Sequence, residues 1–415
     1  MSDLLQIQEP KSARPDAPQW PAFLELGFRP LYLAGSFWAA VSVAIWVFVP
    51  GALRGPLAGV VWHGHEMLWA FIATIAVGFL LTAGSNWTGI NPLKGRALGT
   101  LSLLWLLARL GFLIPGSAAF GLAVACELVF FVWAALALGL AIYRARSRRN
   151  YGIPWMVLAL GGADALFLFA AWQGNHVRLM QYFNTGLLCM VLIALLVARR
   201  VIPFFAMRAI PGLTVPMHTR SGHWQLAAGT VAIGCGLLGW PQASASLLGV
   251  AGVIALVQLW AWKPWAVRRV PLLWILYLGY AALGAGLLVA AAHASGLVLR
   301  AAWPVHVIGV GGFSVLIIGM VTRTALGHLG RPLATDRLIV TCYLLVIAAA
   351  ALRLLALLPT PMVLGALHAS AGAWVLAFVL YLWRFLPMLI RPRTDRAAKP
   401  LPKIGSIPVQ PHSPP

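Results

Sequence analysis

Long apolar runs separated by short polar stretches make up this chain. Runs of about 20 apolar residues recur from near Arg29 to near Arg384. Each is long enough to cross a hydrocarbon core roughly 30 Å thick as a helix. In lipid the backbone must satisfy its own hydrogen bonds, so such runs are helical. The pattern predicts twelve spans, at 31–50, 58–83, 97–116, 119–143, 152–172, 179–201, 224–240, 243–262, 271–292, 303–323, 337–358 and 362–386. The expected fold class is all-α, a polytopic transmembrane helical bundle. The connections after spans three, seven and eleven are very short: Pro115-Gly116, Trp240-Pro241 and Pro359-Thr360-Pro361. Each leaves two helices as antiparallel neighbours. No internal repeat is evident in the residues.

Charge orients the spans. The chain has 30 Lys and Arg against 9 Asp and Glu, a net charge of +21. Of the basic residues outside the spans or at their ends, 25 fall with the tails and even-numbered connections, and only Arg54, Arg178 and Arg300 with the odd-numbered ones. The positive-inside rule then puts both termini in the cytoplasm. Only 9% of residues are charged, against about 25% in soluble proteins, which excludes a soluble domain. The basic residues sit between spans and not on an aromatic-studded surface, so nucleic acid is not an expected partner; the lipid bilayer is. The polar, Pro-containing segments 1–22 and 391–415 read as disordered tails around a single transmembrane domain, 23–390. Cys126, Cys189, Cys235 and Cys342 each lie inside an apolar run with no CxxC pair, as core residues do.

The candidate chemistry lies in histidines. With this orientation His63, His65, His176, His293, His306 and His368 gather towards the outer face, and His218, His223 and His328 lie on the cytoplasmic side. An ionisable residue in a membrane helix is a functional candidate, and neutral imidazole is a common metal ligand. His63, His65, His306 and His368 form the expected metal set. His368 lies about 9 Å into span twelve at 1.5 Å per residue. His63 and His65 are two apart, so on a helix they point about 200° apart. They cannot readily clamp one metal; they could serve two sites on two sides of one helix. The H-x-H element of haem–copper oxidases looks similar. Met67, one turn after His63, offers a soft thioether suited to copper.

Among the acids, Glu66 is placed to orient an imidazole or carry a proton, and Glu25 is placed to pair with Arg29. Arg109 is expected to meet an acid or a haem propionate. Gly309, Gly311, Gly312 and Gly319 would admit a helix or a flat macrocycle close to the backbone. Asn86-Trp87-Thr88 matches a glycosylation sequon, but on the cytoplasmic side.

Taken in order, the motifs form a specific set. Trp62-His63-Gly64-His65-Glu66-Met67 runs into Gly78-Phe79-Leu80-Leu81-Thr82 and Asn86-Trp87-Thr88-Gly89. Leu104-Trp105-Leu106-Leu107-Ala108-Arg109, Arg148-Arg149-Asn150-Tyr151 and Arg200-Val201-Ile202-Pro203-Phe204 follow. Then come His306-Val307-Ile308-Gly309-Val310-Gly311-Gly312, Thr322-Arg323 and Leu326-Gly327-His328-Leu329-Gly330-Arg331-Pro332. From about Phe23 to about Phe385 the chain resembles the NnrS family of bacterial membrane proteins. The resemblance implies a haem- and copper-containing inner-membrane protein linked to nitric-oxide metabolism and resistance, with nitric oxide or a nitrosylated species as small-molecule ligand. His63, His65, Glu66, His306, Arg323 and His328 match family-motif positions, as do Arg29, Asn86 and Trp87. Leu329 departs from the pattern, where family members often have Thr. The resemblance does not say which of these bind metal; the map of the outer face favours His63, His65, His306 and His368, with Glu66 and Arg109 as further cofactor contacts. Two other functions fit twelve spans: a transporter of copper, haem or an iron–nitrosyl species, and a non-catalytic haem-bearing sensor or assembly factor. No catalytic nucleophile or acid–base triad is present, so the sequence does not decide whether the protein is an enzyme.

Overall fold

The computed structural model describes residues 17–53 and 55–394. Most of both expected tails, His412 and Arg54 lie outside the described residues. Among the described residues twelve long helices form the body: α1 Phe28–Phe48, α2 Gly59–Thr88, α3 Gly95–Leu113, α4 Ser117–Arg144, α5 Ile153–Trp172, α6 His176–Ala209, α7 Thr219–Leu237, α8 Pro241–Ala261, α9 Pro271–Ala294, α10 Ala302–His328, α11 Arg337–Leu355 and α12 Val363–Leu389. Eleven of them are long and apolar enough to cross a membrane. The exception, α7, carries Arg220, His223, Gln225 and Thr230 within 19 residues. The protein is a multi-pass membrane protein with the fold class that the apolar runs predict.

Boundaries moved where local rules compete. Span six was expected to stop near residue 201, before Pro203. Instead α6 runs through Pro203 to Ala209. A proline in a helix forfeits one backbone hydrogen bond, and the arginines just before it are fixed from outside: Arg199 donates to Thr219 O (2.9 Å) and Arg200 to Asn150 Oδ1 (2.6 Å). α2 continues to Thr88, where Gly89 at φ 71° supplies the left-handed turn that ends it. The packed body extends beyond 23–390 at both ends: Gln19 N–H donates to Ile390 O, and Thr394 N–H to Leu329 O. Arg29 donates to Leu389 O (3.0 Å) and Arg391 O (2.6 Å), so a cation caps the carboxyl end of α12.

The structure contains a repeat that the sequence hid. The chain divides into units α1–α4, α5–α8 and α9–α12. In each the second helix is the longest or equal longest, and the third has 19 residues. A short connection then leads to the fourth. Helix α4 packs on α5, α8 on α9, and α12 closes the circle on α1. The second helices α2, α6 and α10 meet inside. Gly186 on α6 makes this possible, because a Cβ there would lie 2.4 Å from the Trp69 ring on α2. One constant separation along the chain takes Trp62 to Trp303, His65 to His306 and Gly78 to Gly319. It also takes Glu66–Ala73 to Val307–Ser314, the two stretches in which α2 and α10 widen into π-helix. Apolar residues exchange freely in lipid-embedded helices, so three units can share a plan without sharing visible sequence.

Candidate functional site

The two π segments touch each other. Each begins directly after a histidine-bearing turn. Their wide turns are marked by side chains that reach five residues back: Thr74 Oγ1–H donates to Trp69 O and Ser314 Oγ–H to Gly309 O. Such π turns are rare and concentrate at functional sites. Here both face a chamber of about 240 Å³, more than ten times the roughly 10–15 Å³ that one water needs.

The chamber lies at the end of the bundle that the charge pattern assigns to the outer side. Its walls are aliphatic and aromatic, with Trp46, Phe71, Phe183 and Trp374 among them. Its polar lining is small: His63, His306, Arg353, Ser314 and Ser370, beside the Met67 thioether. Both serine hydroxyls already donate to carbonyls, Ser314 to Gly309 O and Ser370 to Ala349 O. His306 Nδ1 lies 2.7 Å from Ala302 O. A carbonyl only accepts, so Nδ1 carries the proton and Nε2 keeps its lone pair. His63 is held differently: its ring stacks on Trp46 at 5.3 Å and 13°, and its Nδ1 is buried without a partner. A Cβ on Gly309 would meet nothing within 4 Å, so the α10 backbone is open to an occupant there.

On the opposite side of α2 stands a different site. His65 is fully buried, with Nδ1 2.8 Å from Glu66 Oε1 and Nε2 3.1 Å from Asp164 Oδ1 and 3.5 Å from Glu127 Oε2. Arg109 donates to Glu66 Oε2 at 2.7 Å and also to Glu127 Oε2. Trp38 Nε1–H donates to Glu66 Oε2 at 2.5 Å. Helices α1 to α5 each contribute to this network. Ligand atoms of His65, Glu127 and Asp164 lie within 4.8 Å of one another, but the Arg109 guanidinium already neutralises the carboxylate of Glu127. Buried charges persist in apolar surroundings only when so paired.

The structure therefore divides the expected site residues. His63 and His306 meet in the chamber. His65, Glu66 and Arg109 belong to the ion network and do not line the chamber; the 200° between positions two apart turns His65 away from His63. His368 is exposed, bonds only to Leu364 O and leans on Phe48. The α12 residues that face the chamber are its neighbours Leu367, Ser370, Ala371 and Trp374. Arg29, Arg323 and His328 gather at the far end of the bundle. There His328 packs on Phe28 (5.5 Å) and the Arg323 guanidinium lies 3.8 Å from the centre of the Phe205 ring. Asn86 is exposed and Trp87 half-buried at the end of α2. Sequence reasoning missed how Glu127 and Asp164 are used. Both are acids within apolar runs, which demand a buried partner.

The family model for the NnrS protein matches residues 22–393. The chain belongs to the NnrS family. The NnrS match takes in all twelve long helices, so the chamber and the ion network both lie inside the family domain. No curated protein matches the chain.

Proposed function

We propose that the chamber holds a haem, with His306 and His63 as its iron ligands. In this reading the protein acts in nitric-oxide metabolism or nitrosative-stress resistance in the bacterial inner membrane. The observation that carries the reading is the pair of imidazoles from α2 and α10 facing one apolar chamber with no carboxylate in its lining. The lone pair of His306 Nε2 is free, and the backbone at Gly309 is bare, as a flat macrocycle requires. A haem held there would supply, through its reduced iron, the binding of nitric oxide. The protein's own groups then divide the work. His306, fixed by Ala302, is the anchored ligand. His63, held by stacking alone, would be the less firmly held ligand. The walls around the pair are mainly apolar.

Copper is a second reading of the same chamber, favoured by the Met67 thioether that lines it one turn from His63. The deciding experiment is the oxidised and reduced optical spectrum of the detergent-purified protein with metal analysis, before and after nitric oxide. A haem Soret band that shifts with nitric oxide supports the first reading. Copper without haem supports the second. A colourless, metal-free protein from cells able to supply both would sink the two together.

A further inference from the structure

Among the described residues, the other arginines buried in this bundle each meet a group of the protein, although several keep a buried Nε without a partner. Arg29 holds the carbonyls of Leu389 and Arg391. Arg109 holds two carboxylates. Arg199 donates to His218 O and Thr219 O, and Arg323 lies over Phe205. Arg353, in the last turn of α11, is half-buried and lines the chamber beside His63 and His306. Among the described residues it has no ion pair and no hydrogen bond.

The repeat sharpens this contrast. The ion network is built on the second, third and fourth helices of the first unit and the first helix of the next, with α1 adding Trp38. The chamber draws on the corresponding helices of the third unit, α10, α11 and α12, and on α1, together with the opposite face of α2 and part of α6. The separation that takes His65 to His306 brings Arg109 to within one helical turn of Arg353. Arg109 is neutralised by Glu66 and Glu127, which belong to the protein. Helices α10, α11, α12 and α1 contain no Asp or Glu. The third unit keeps the histidine and the arginine of the first and omits the acids.

We propose that Arg353 is the anchoring site for a carboxylate side arm of the macrocycle in the chamber, and thereby fixes which edge of it faces the outer side of the membrane. The inference rests on the haem reading above. It assigns Arg353 the role that Arg109 plays in the ion network, with the anion brought in by the ligand. A guanidinium suits this task because it is permanently charged and binds carboxylate in a planar fork.

The test uses full-length protein purified from haem-deficient cells and titrated with haem or with its dimethyl ester, which lacks the two charges. The wild type should bind haem about tenfold or more tightly than the ester. Arg353→Gln should bind the two alike, and Arg353→Lys should restore part of the preference. The same preference in wild type and Arg353→Gln would overturn the proposal. So would a wild type that binds both forms equally, with or without an Arg353-dependent spectral response to added nitrite, since the anion would then be free in solution. A wild type that binds neither form would remove the haem reading itself. Unchanged helix content and gel-filtration profile of Arg353→Gln separate a lost contact from a lost fold.

Discussion

His63 and His65 share one turn of α2 and have opposite surroundings. His65 looks into a network in which nearly every charge has an opposite charge within 4 Å. His63 looks into a chamber that holds a second imidazole and an arginine, with no acid among its lining residues. The first site is satisfied mostly by the protein's own groups, with Asp164 Oδ2 and Arg109 Nε left without a partner. The second has donors and charge but nothing that uses them. In a low-dielectric interior a satisfied network rigidifies the core, whereas an unpaired buried charge costs stability unless something else pairs with it. The difference teaches that histidines in a membrane helix cannot be ranked as ligands by type or depth. What separates them is whether the protein has already satisfied their neighbours.

The largest expected effect falls on the finished site. Arg109→Met leaves Glu66 and Glu127 buried without their cation. Breaking a buried pair in this way costs about 3–5 kcal/mol, so the variant should unfold at clearly lower temperature in detergent and accumulate poorly in membranes. Arg353→Gln, the comparable change in the chamber, should leave the melting temperature of the cofactor-free protein nearly unchanged. If the two variants melt alike, the contrast between a finished and an unfinished site is broken.

A smaller and more specific effect should separate the two chamber histidines. His306→Ala should cut cofactor affinity by at least roughly 10–100-fold, the loss typical of disturbing even the outer partners of a ligand. His63→Ala should retain more cofactor and change its spectrum. The asymmetry follows from the bond between His306 Nδ1 and Ala302 O, which His63 lacks. Equal losses from both replacements would show that the two imidazoles are equally held, and would remove the argument that His63 would be the less firmly held ligand.

Much of the fold was legible because a bilayer imposes a simple code. Apolar run length marks eleven of the twelve helices, and the basic residues between them carry the expected orientation. The opposed faces of His63 and His65 were also legible, since 100° per residue needs no tertiary information. So was the pair of Glu25 with Arg29, seen at 3.9 Å. The chamber was not legible. It depends on which helices meet, and no spacing within one helix reveals that α2 and α10 are neighbours. The π segments were hidden for a related reason: a wide turn is stabilised by packing across helices, here by one π segment against the other, and not by local propensity. The repeat was hinted at by the three short connections, after Pro115, Trp240 and Pro359, each following the third helix of a unit. The residues gave no second sign of it until the π segments of α2 and α10 could be set side by side.

His368 marks the edge of the comparison and should show the smallest effect. By depth alone it ranks with His306 as a ligand. Yet α12 turns Leu367, Ser370, Ala371 and Trp374 to the chamber, and 100° per residue carries His368 away from that face. Trp374 fixes the rotation of the helix, since its Nε1–H donates to Ala39 O at 2.8 Å, and Ser370 fixes it again through Ala349 O at 2.7 Å. Two such bonds to two different neighbours leave α12 no freedom to swing His368 inward. His368→Ala should therefore leave cofactor content, spectrum and melting temperature as they are in the wild type. A loss of half the cofactor or more would mean that α12 rotates on loading, and that the chamber takes a third imidazole.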